Sequence, residues 1–361
     1  MSVTFGGTSA PSQVTLNLDS LFGTSLAAYK KELVDNIGAT NAFFFEMMQR
    51  ELYQSQEGGS YIQEPLMYAL APADSYDGFD ELSTIPTDGI SDAIYQWRQC
   101  AAAIAYSMRE VKQNKNKIVD IVTSRIKQAE MGLQEYFSQS LMWGAAADGG
   151  SLTSERISSI NGSKSILPLP LLISFTPTVA GQSVGNIDQS TQTWWRNKVK
   201  SSTATTWDGL LTEFLNIFNS CALGTGGKPK VVLVDQVTSE TLTMALYNRF
   251  RAVKTDDNYP FENVVYKGAH IVMDDKVPDV EGGLTSASTA GSAFFINSDF
   301  FKLIYETDSD FELLKDENGK TFQKPVNQDA RVANIAWMGQ VTLSNRRKQG
   351  VMGSVSRTIT S

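Results

Sequence analysis

RVANIAWMGQVTLSNRRKQG, residues 331–350, reads in two halves. In the first half Ala333, Ile335, Trp337, Val341 and Leu343 fall on one side, with Gly339 among them. Asn334, Ala336, Met338, Gln340 and Thr342 fall on the other. A period of two predicts a β-strand. Residues 331–344 at about 3.3 Å each span more than about 40 Å, against a usual ~17–20 Å. The second half closes on three consecutive cations, Arg346, Arg347 and Lys348, and contains no catalytic pattern.

Bulk composition narrows the use of such a run. The chain has 361 residues, enough for a large core in one elaborate domain or two to three subdomains. With 31 basic and 39 acidic residues its net charge is −8, which excludes a generic nucleic-acid binder. Cys100 and Cys221 lie far apart and match no metal or disulfide spacing, as expected in a reducing compartment. MSVTFGGTSAPSQ at the start has no basic or apolar signal region, so no secretion signal is expected. ILPLPLLISF, residues 166–175, is too short and proline-rich to cross a bilayer, so a soluble chain with no membrane partner is expected. Charge is unevenly placed. Residues 1–108 hold four basic and thirteen acidic side chains, whereas residues 331–361 hold five basic and no acidic ones. Such a division reads either as two solvated faces of opposite sign or as a subunit whose one end meets the other end of a neighbour.

The remaining elements are also extended. The first twenty residues, rich in Ser, Thr, Gly and Gln, read as a loose arm. Short helices are predicted over 24–37 and 41–54. The second, NAFFFEMMQREL, is capped by Asn41 and too aromatic for one buried stripe. Residues 56–108 read as a long two-stranded excursion with a Gly-, Pro- and Asp-rich tip. From Asn116 to Trp143 apolar side chains at Ile118, Val122, Ile126, Ala129, Leu133, Phe137 and Leu141 trace one helical face. Asn114 or Asn116 can cap that helix, which at 1.5 Å per residue is a rod of roughly 40 Å. Residues 145–200 are loop-rich. Residues 207–274 alternate helix, strand, helix, strand (WDGLLTEFLNIFNSC, KVVLVD, SETLTMALYNRF, NVVYKGAHIVMD), the pattern of a compact α/β unit. EGGLTSASTAGS, 281–292, has a surface-loop composition, SAFFINSDFFKLIYE reads as strand and turn, and Asn318–Gly319 mark a hairpin turn.

Two chemical motifs invite a test. GQSVG, 181–185, fits the G-x-S-x-G nucleophile elbow, and Asp235 and His270 follow in the order of a serine esterase. The elbow needs a strand before Ser183 and a helix after it, and neither TPTVA nor NIDQSTQTWW supplies one. CALGTGGKPK evokes a phosphate loop, but Ala222 stands where the first glycine belongs and Pro229 where Ser or Thr must hold magnesium. No catalytic residue, metal ligand set or cofactor site is expected.

Four stretches together carry a family resemblance: YDGFDELSTIPTDGISDAIYQWRQCAAAIAYS, STQTWWRNK, VVYKGAHIVMDD and NQDARVANIAWMGQVTLSNRRKQGVM. In order and spacing, over about residues 20–352, the chain resembles tailed-phage major capsid proteins of the Hong Kong ninety-seven type. The resemblance implies an α+β fold with an N-terminal arm (1–55) and an extended β-hairpin loop (56–108). It also implies a peripheral domain with a long spine helix (109–200), an α/β axial domain (201–299) and a peripheral return strand and tip (300–361). The implied function is that of a structural shell subunit, not an enzyme, with an encapsulin-like cargo shell as the alternative. Its partners would be further copies of itself in hexamers and pentamers, scaffolding, portal and decoration proteins, and enclosed double-stranded DNA that is bound only weakly. Its place would be the virion capsid, assembled in the bacterial host cytoplasm. Arg346, Arg347 and Lys348 would lie at a tip where three subunits meet. Trp97, Arg98, Phe43, Phe44, Trp194 and Trp195 complete the expected intersubunit contacts. Some relatives lock their shells by an isopeptide bond from a loop lysine; here no lysine lies between Lys31 and Lys112.

Overall fold

The computed structural model describes residues 43, 46, 47, 50–71, 73, 75–80, 88–113, 121–143, 164–180, 183–247, 264–277, 290–315, 320–325 and 327–359. The predicted arm and first helix, Asn41, Phe44, Asn114, Asn116, most of the 281–292 loop and the turn at 318–319 lie outside the described residues. Strands β1 (Tyr53–Gln56), β2 (Ile62–Met67), β3 (Ile90–Tyr95) and β4 (Arg98–Ser107) precede helices α1 (Met108–Gln113), α2 (Ile121–Trp143) and α3 (Leu169–Leu172). β5 (Ser183–Val184), β6 (Ile187–Asp188) and β7 (Lys198–Ser201) lead to α4 (Trp207–Ala222), β8 (Val231–Val234) and α5 (Gln236–Tyr247). Then come β9 (Val264–Tyr266), β10 (Ala269–Met273), β11 (Ala290–Ile296), β12 (Phe301–Glu306), β13 (Glu312–Leu313), β14 (Ala330–Leu343) and β15 (Gly350–Ser356).

Contacts divide the chain into two units. The smaller takes in Met1–Ala39, Ala102–Gly132 and Leu313–Ile335. In it Met108 N–H donates to the Asp329 carbonyl at 3.1 Å and Leu314 N–H to that of Asn334 at 2.8 Å. Tyr106 packs on Phe322, ring centres 5.5 Å apart.

The larger unit takes in Thr40–Ala101, Leu133–Glu312 and Ala336–Ser361. Its six-stranded mixed sheet runs β7-β15-β11-β8-β10-β9. α4 starts where Thr206 Oγ1 accepts the Gly209 N–H at 3.2 Å. Helical spacing then puts Leu210, Phe214, Ile217, Phe218 and Cys221 on one buried face against Val232, Val234, Phe295 and Met352. Each large side chain so buried is worth about 1.5–3 kcal/mol. β8 is buried at all four residues, the mark of an interior strand. The strand predicted over 263–274 is instead a hairpin, because Lys267 (φ 50°) and Gly268 (φ 81°) turn β9 back into β10. Residues 350–356, assigned from the sequence to the closing segment, insert as β15 between β7 and β11.

The five-stranded sheet runs β1-β12-β14-β13, with β4 also on β14. β14 is the predicted 14-residue strand. Its alternation holds to Met338; beyond that both faces are buried. α2 covers one face: Leu133, Phe137 and Leu141 are buried as predicted, and Phe137 meets Trp337 edge-on at 4.7 Å. Trp337 donates its indole N–H to Tyr53 Oη at 2.8 Å, and Tyr53 donates onward to Asp310. Tyr53 belongs to a strand here, not to the helix predicted over 41–54. Glu51 takes φ 54°, and Leu52 N–H reaches back to the Met47 carbonyl at 3.0 Å. That left-handed stop ends the helix, and the chain continues as β1, parallel to β12.

Candidate functional site

The β2–β3 hairpin is fixed at its base and bare beyond it. Tyr95 Oη donates to the Leu343 carbonyl at 2.8 Å and accepts the Leu343 N–H at 3.2 Å. Thr342 Oγ1 donates to Glu64 Oε1 at 3.0 Å, and Gln340 Nε2 to the Gln96 carbonyl at 3.2 Å. These bonds explain why Gln340 and Thr342, on the side opposite the apolar series, are buried. Outward from the base, Met67 is 74%, Leu70 79% and Ile90 75% exposed. The tip is a closed turn in which Asp80 N–H donates to the Asp77 carbonyl at 2.8 Å and Asp77 N–H to Asp80 Oδ2 at 2.9 Å. From it Phe79 projects with its whole side chain in solvent (105% exposed). Bare apolar side chains on the described part of the hairpin mark an interaction surface.

The tryptophan candidates brace this hairpin. Trp97 donates to the Gly59 carbonyl at 2.9 Å, and Trp194 stacks on Tyr68 at 4.9 Å. Trp195 is buried, donating to the Val184 carbonyl at 3.1 Å. Arg98 is half-buried, which lowers its pKa. Phe43 is inside the unit, edge-on to Phe301 at 5.9 Å, and its N–H donates to Asp274 at 3.3 Å.

The three closing cations do not form the exposed cluster expected of them. Arg346 is wholly buried: its Nε donates to the Leu172 carbonyl at 2.8 Å and its Nη2 to that of Leu171 at 3.2 Å. Lys348 is buried too, donating to the carbonyls of Leu223 at 2.7 Å and Gly224 at 3.2 Å. Both sets of acceptors close helices, α3 and α4, whose last carbonyls have no partner along the helix. Burial pushes Arg346 down to about 10, countered in part by Tyr95, and it lowers Lys348 with help from Arg347. Gln349 completes the fastening by exchanging hydrogen bonds with the Asn297 backbone at 2.8 and 3.1 Å. Of the three cations Arg347 alone is exposed.

The esterase residues are not assembled. Ser183 opens a two-residue strand that turns at Gly185 and Asn186 (both φ 63°) into β6, so no helix follows it. Asp235 spends its carboxylate on the N–H groups of Val237, Thr238 and Ser292 at 3.0–3.1 Å, capping α5. His270, on β10, faces Glu46 at 3.9 Å. Around the glycine turn after α4 it is carbonyls that converge, on the Lys348 ammonium, a polarity opposite to that of a phosphate cradle. Among the described residues no His, Cys, Asp and Glu cluster could hold a metal, and no helix is long and apolar enough to cross a membrane.

One feature had no sequence signal. Arg50, Lys230 and Lys302 line an open cleft of about 450 Å³ with Glu51, Gln54 and Asp299. Lys230 pairs with Asp299 and Arg50 with Glu46, leaving Lys302 without an acidic partner among the described residues. The three cations come from separate parts of the sequence, and only pairing of β1 with β12 brings Arg50 beside Lys302.

No family model and no curated protein sequence matches the chain significantly. Solved structures do. The capsid asymmetric unit of cyanophage A-1(L) is similar at TM-score 0.64 and 13% identity, covering 93% of this chain and 98% of that one. A native GTA particle capsid is similar at TM-score 0.57 and 8% identity (91% and 95% covered). The holo-SrpI encapsulin complex of Synechococcus elongatus is similar at TM-score 0.57 and 11% identity (98% and 99% covered). The chain therefore has the α+β fold of tailed-phage major capsid proteins, as the sequence resemblance implied.

Proposed function

We propose that this chain is the structural subunit of an icosahedral shell, assembled from hexamers and pentamers of itself and enclosing double-stranded DNA. The observation that carries this reading is the β2–β3 hairpin, with a base locked by buried polar bonds and an outer half left apolar and bare. The protomer orders this surface without covering it, and a second copy supplies the cover. On this reading residues 1–55 serve as the arm, 56–108 as the extended loop and 201–299 as the axial domain. Residues 109–200 and 300–349 make the peripheral domain, while β15 completes the axial sheet. Arg347, Trp97, Arg98 and Trp194 are the contact candidates that keep surface exposed. A net charge of −8 suits a wall that holds DNA without gripping its phosphates. Portal, scaffolding and decoration proteins would complete a virion built in the bacterial cytoplasm.

Electron microscopy of the purified, concentrated protein tests the reading: closed shells or their ring-shaped units are expected, and a fully folded monomer at every concentration would overturn it. The likeness to an encapsulin over 98% of this chain favours a second reading, a shell around protein cargo. Nuclease-protected DNA in native particles decides for the virion; a co-purifying enzyme in DNA-free particles decides for the cargo shell.

A further inference from the structure

Charge complementarity between the two ends of the chain loses two of its three expected cations when Arg346 and Lys348 turn inward. The acidic hairpin is left without the cationic seat expected for it, and the cleft of Arg50, Lys230 and Lys302, in which Arg50 and Lys230 are already paired and Lys302 is not, is the candidate that remains. Three observations fit the two together. The tip is pre-organised, since its turn closes through its own hydrogen bonds, Gly78 N–H to Asp77 Oδ1 at 2.8 Å included. Docking it therefore costs little ordering entropy. Its Phe79 is fully solvated, an arrangement that a soluble monomer has no reason to keep. Finally, the tip carries two carboxylates, Asp77 and Asp80, and each has one oxygen outside the turn's own bonds. The cleft has a lysine, Lys302, that forms no ion pair among the described residues although Glu51 and Asp299 also line the cleft, and Leu52 in its wall for a ring to lie against.

We propose that the hairpin tip of one copy, residues 76–80, seats in the Arg50–Lys230–Lys302 cleft of a second copy, with Phe79 as the plug and Asp77 and Asp80 facing the lysines. The proposal rests on the shell-subunit reading and deepens it by naming both halves of one contact. Opposite charge at the rim fixes which cleft accepts the tip, and the buried ring slows its departure.

A reciprocal charge exchange on the full chain tests it, read by light scattering and electron microscopy. Lys302→Glu with Lys230→Glu, and separately Asp77→Lys with Asp80→Lys, are each expected to cut the assembled fraction at least about tenfold, since like charges then face each other. All four substitutions together are expected to restore shells. The tip variant lies on an exposed turn outside both large sheets, so its circular dichroism stays that of the parent even if the cleft variant folds poorly. Phe79→Ser is expected to weaken assembly without any change of charge. Normal shells from either charge variant overturn the pairing and leave the shell reading standing. Failure of the fourfold variant to recover overturns it too, as does a cleft defect beside a normal tip variant, which would assign the cleft to another acidic partner. If the parent chain itself forms no shells, the shell reading fails, and the pairing with it.

Discussion

Arg346 keeps a full charge at 0% exposure, and among the described residues it meets no carboxylate, only the carbonyls of Leu171 and Leu172. Arg346→Ala should therefore cost about 2–4 kcal/mol of stability in urea unfolding, because two buried acceptors lose their donor. Arg347→Ala, at an exposed neighbour, should stay within about 0.5 kcal/mol. Reversing all three charges should unfold the region as well as block assembly, visible as lost circular dichroism. This is also where the sequence was least legible. It shows three cations in a row but not that two of them have helix-end carbonyls waiting 120 or more residues away. Asp274 gives a pH test. Burial, with neighbouring Asp275, raises its carboxyl from 3.8 to about 6, against the pull of the Phe43 and Lys276 N–H groups. Between those values the folded chain binds more protons than the unfolded one, so this group's contribution to stability falls as the pH rises and is fully lost above about 6. Relative to the parent, Asp274→Asn should gain about 3 kcal/mol in urea unfolding between pH 3.5 and pH 7.5. An unchanged gap would show that the carboxyl titrates normally.

At the scale of elements, period alone found the long strand, the buried face of α2, both helices of the α/β sheet and the existence of the hairpin. Alternation and 3.6-residue spacing are local properties, set by which side of the backbone each residue occupies. What period missed was coverage. Gln340 and Thr342 fall on the side opposite the apolar series, yet Glu64 and Gln96 bond them from the hairpin base, a contact between residues over 240 apart. Gly339 stands among the apolar series with no side chain of its own. A Cβ there would stand 2.5 Å from both the Ile304 carbonyl and the Trp337 ring, so the indole lies across the strand because this residue is glycine. Gly339→Ala should cost about 3 kcal/mol or more, as overpacking does when backbone blocks relief. A urea midpoint equal to the parent's would contradict that account.

Over the whole molecule the composition limits how the proposed shell is held. The hairpin has no lysine, so an isopeptide bond from it has no nucleophile, and Arg98 stays protonated at any relevant pH. Boiled, reduced particles should run as one band near 39.6 kDa; a ladder of multiples would mean that another linkage exists. The candidate cleft stayed illegible in the sequence because its cations become neighbours only after strand pairing. The position of β15 has a further consequence, one of timing. It is made after every other strand of its sheet, yet it sits between β7 and β11. A ribosome that has just finished β14 carries a nascent chain whose central sheet is still split, with hydrogen-bonding edges open on both pieces. The chain therefore has to complete synthesis through Ser356 before it presents a finished sheet to any neighbour. Chains stalled before Gly350 should be digested by protease where those released after Ser356 resist. Copies still on the polysome would then be barred from premature assembly by the order of synthesis alone.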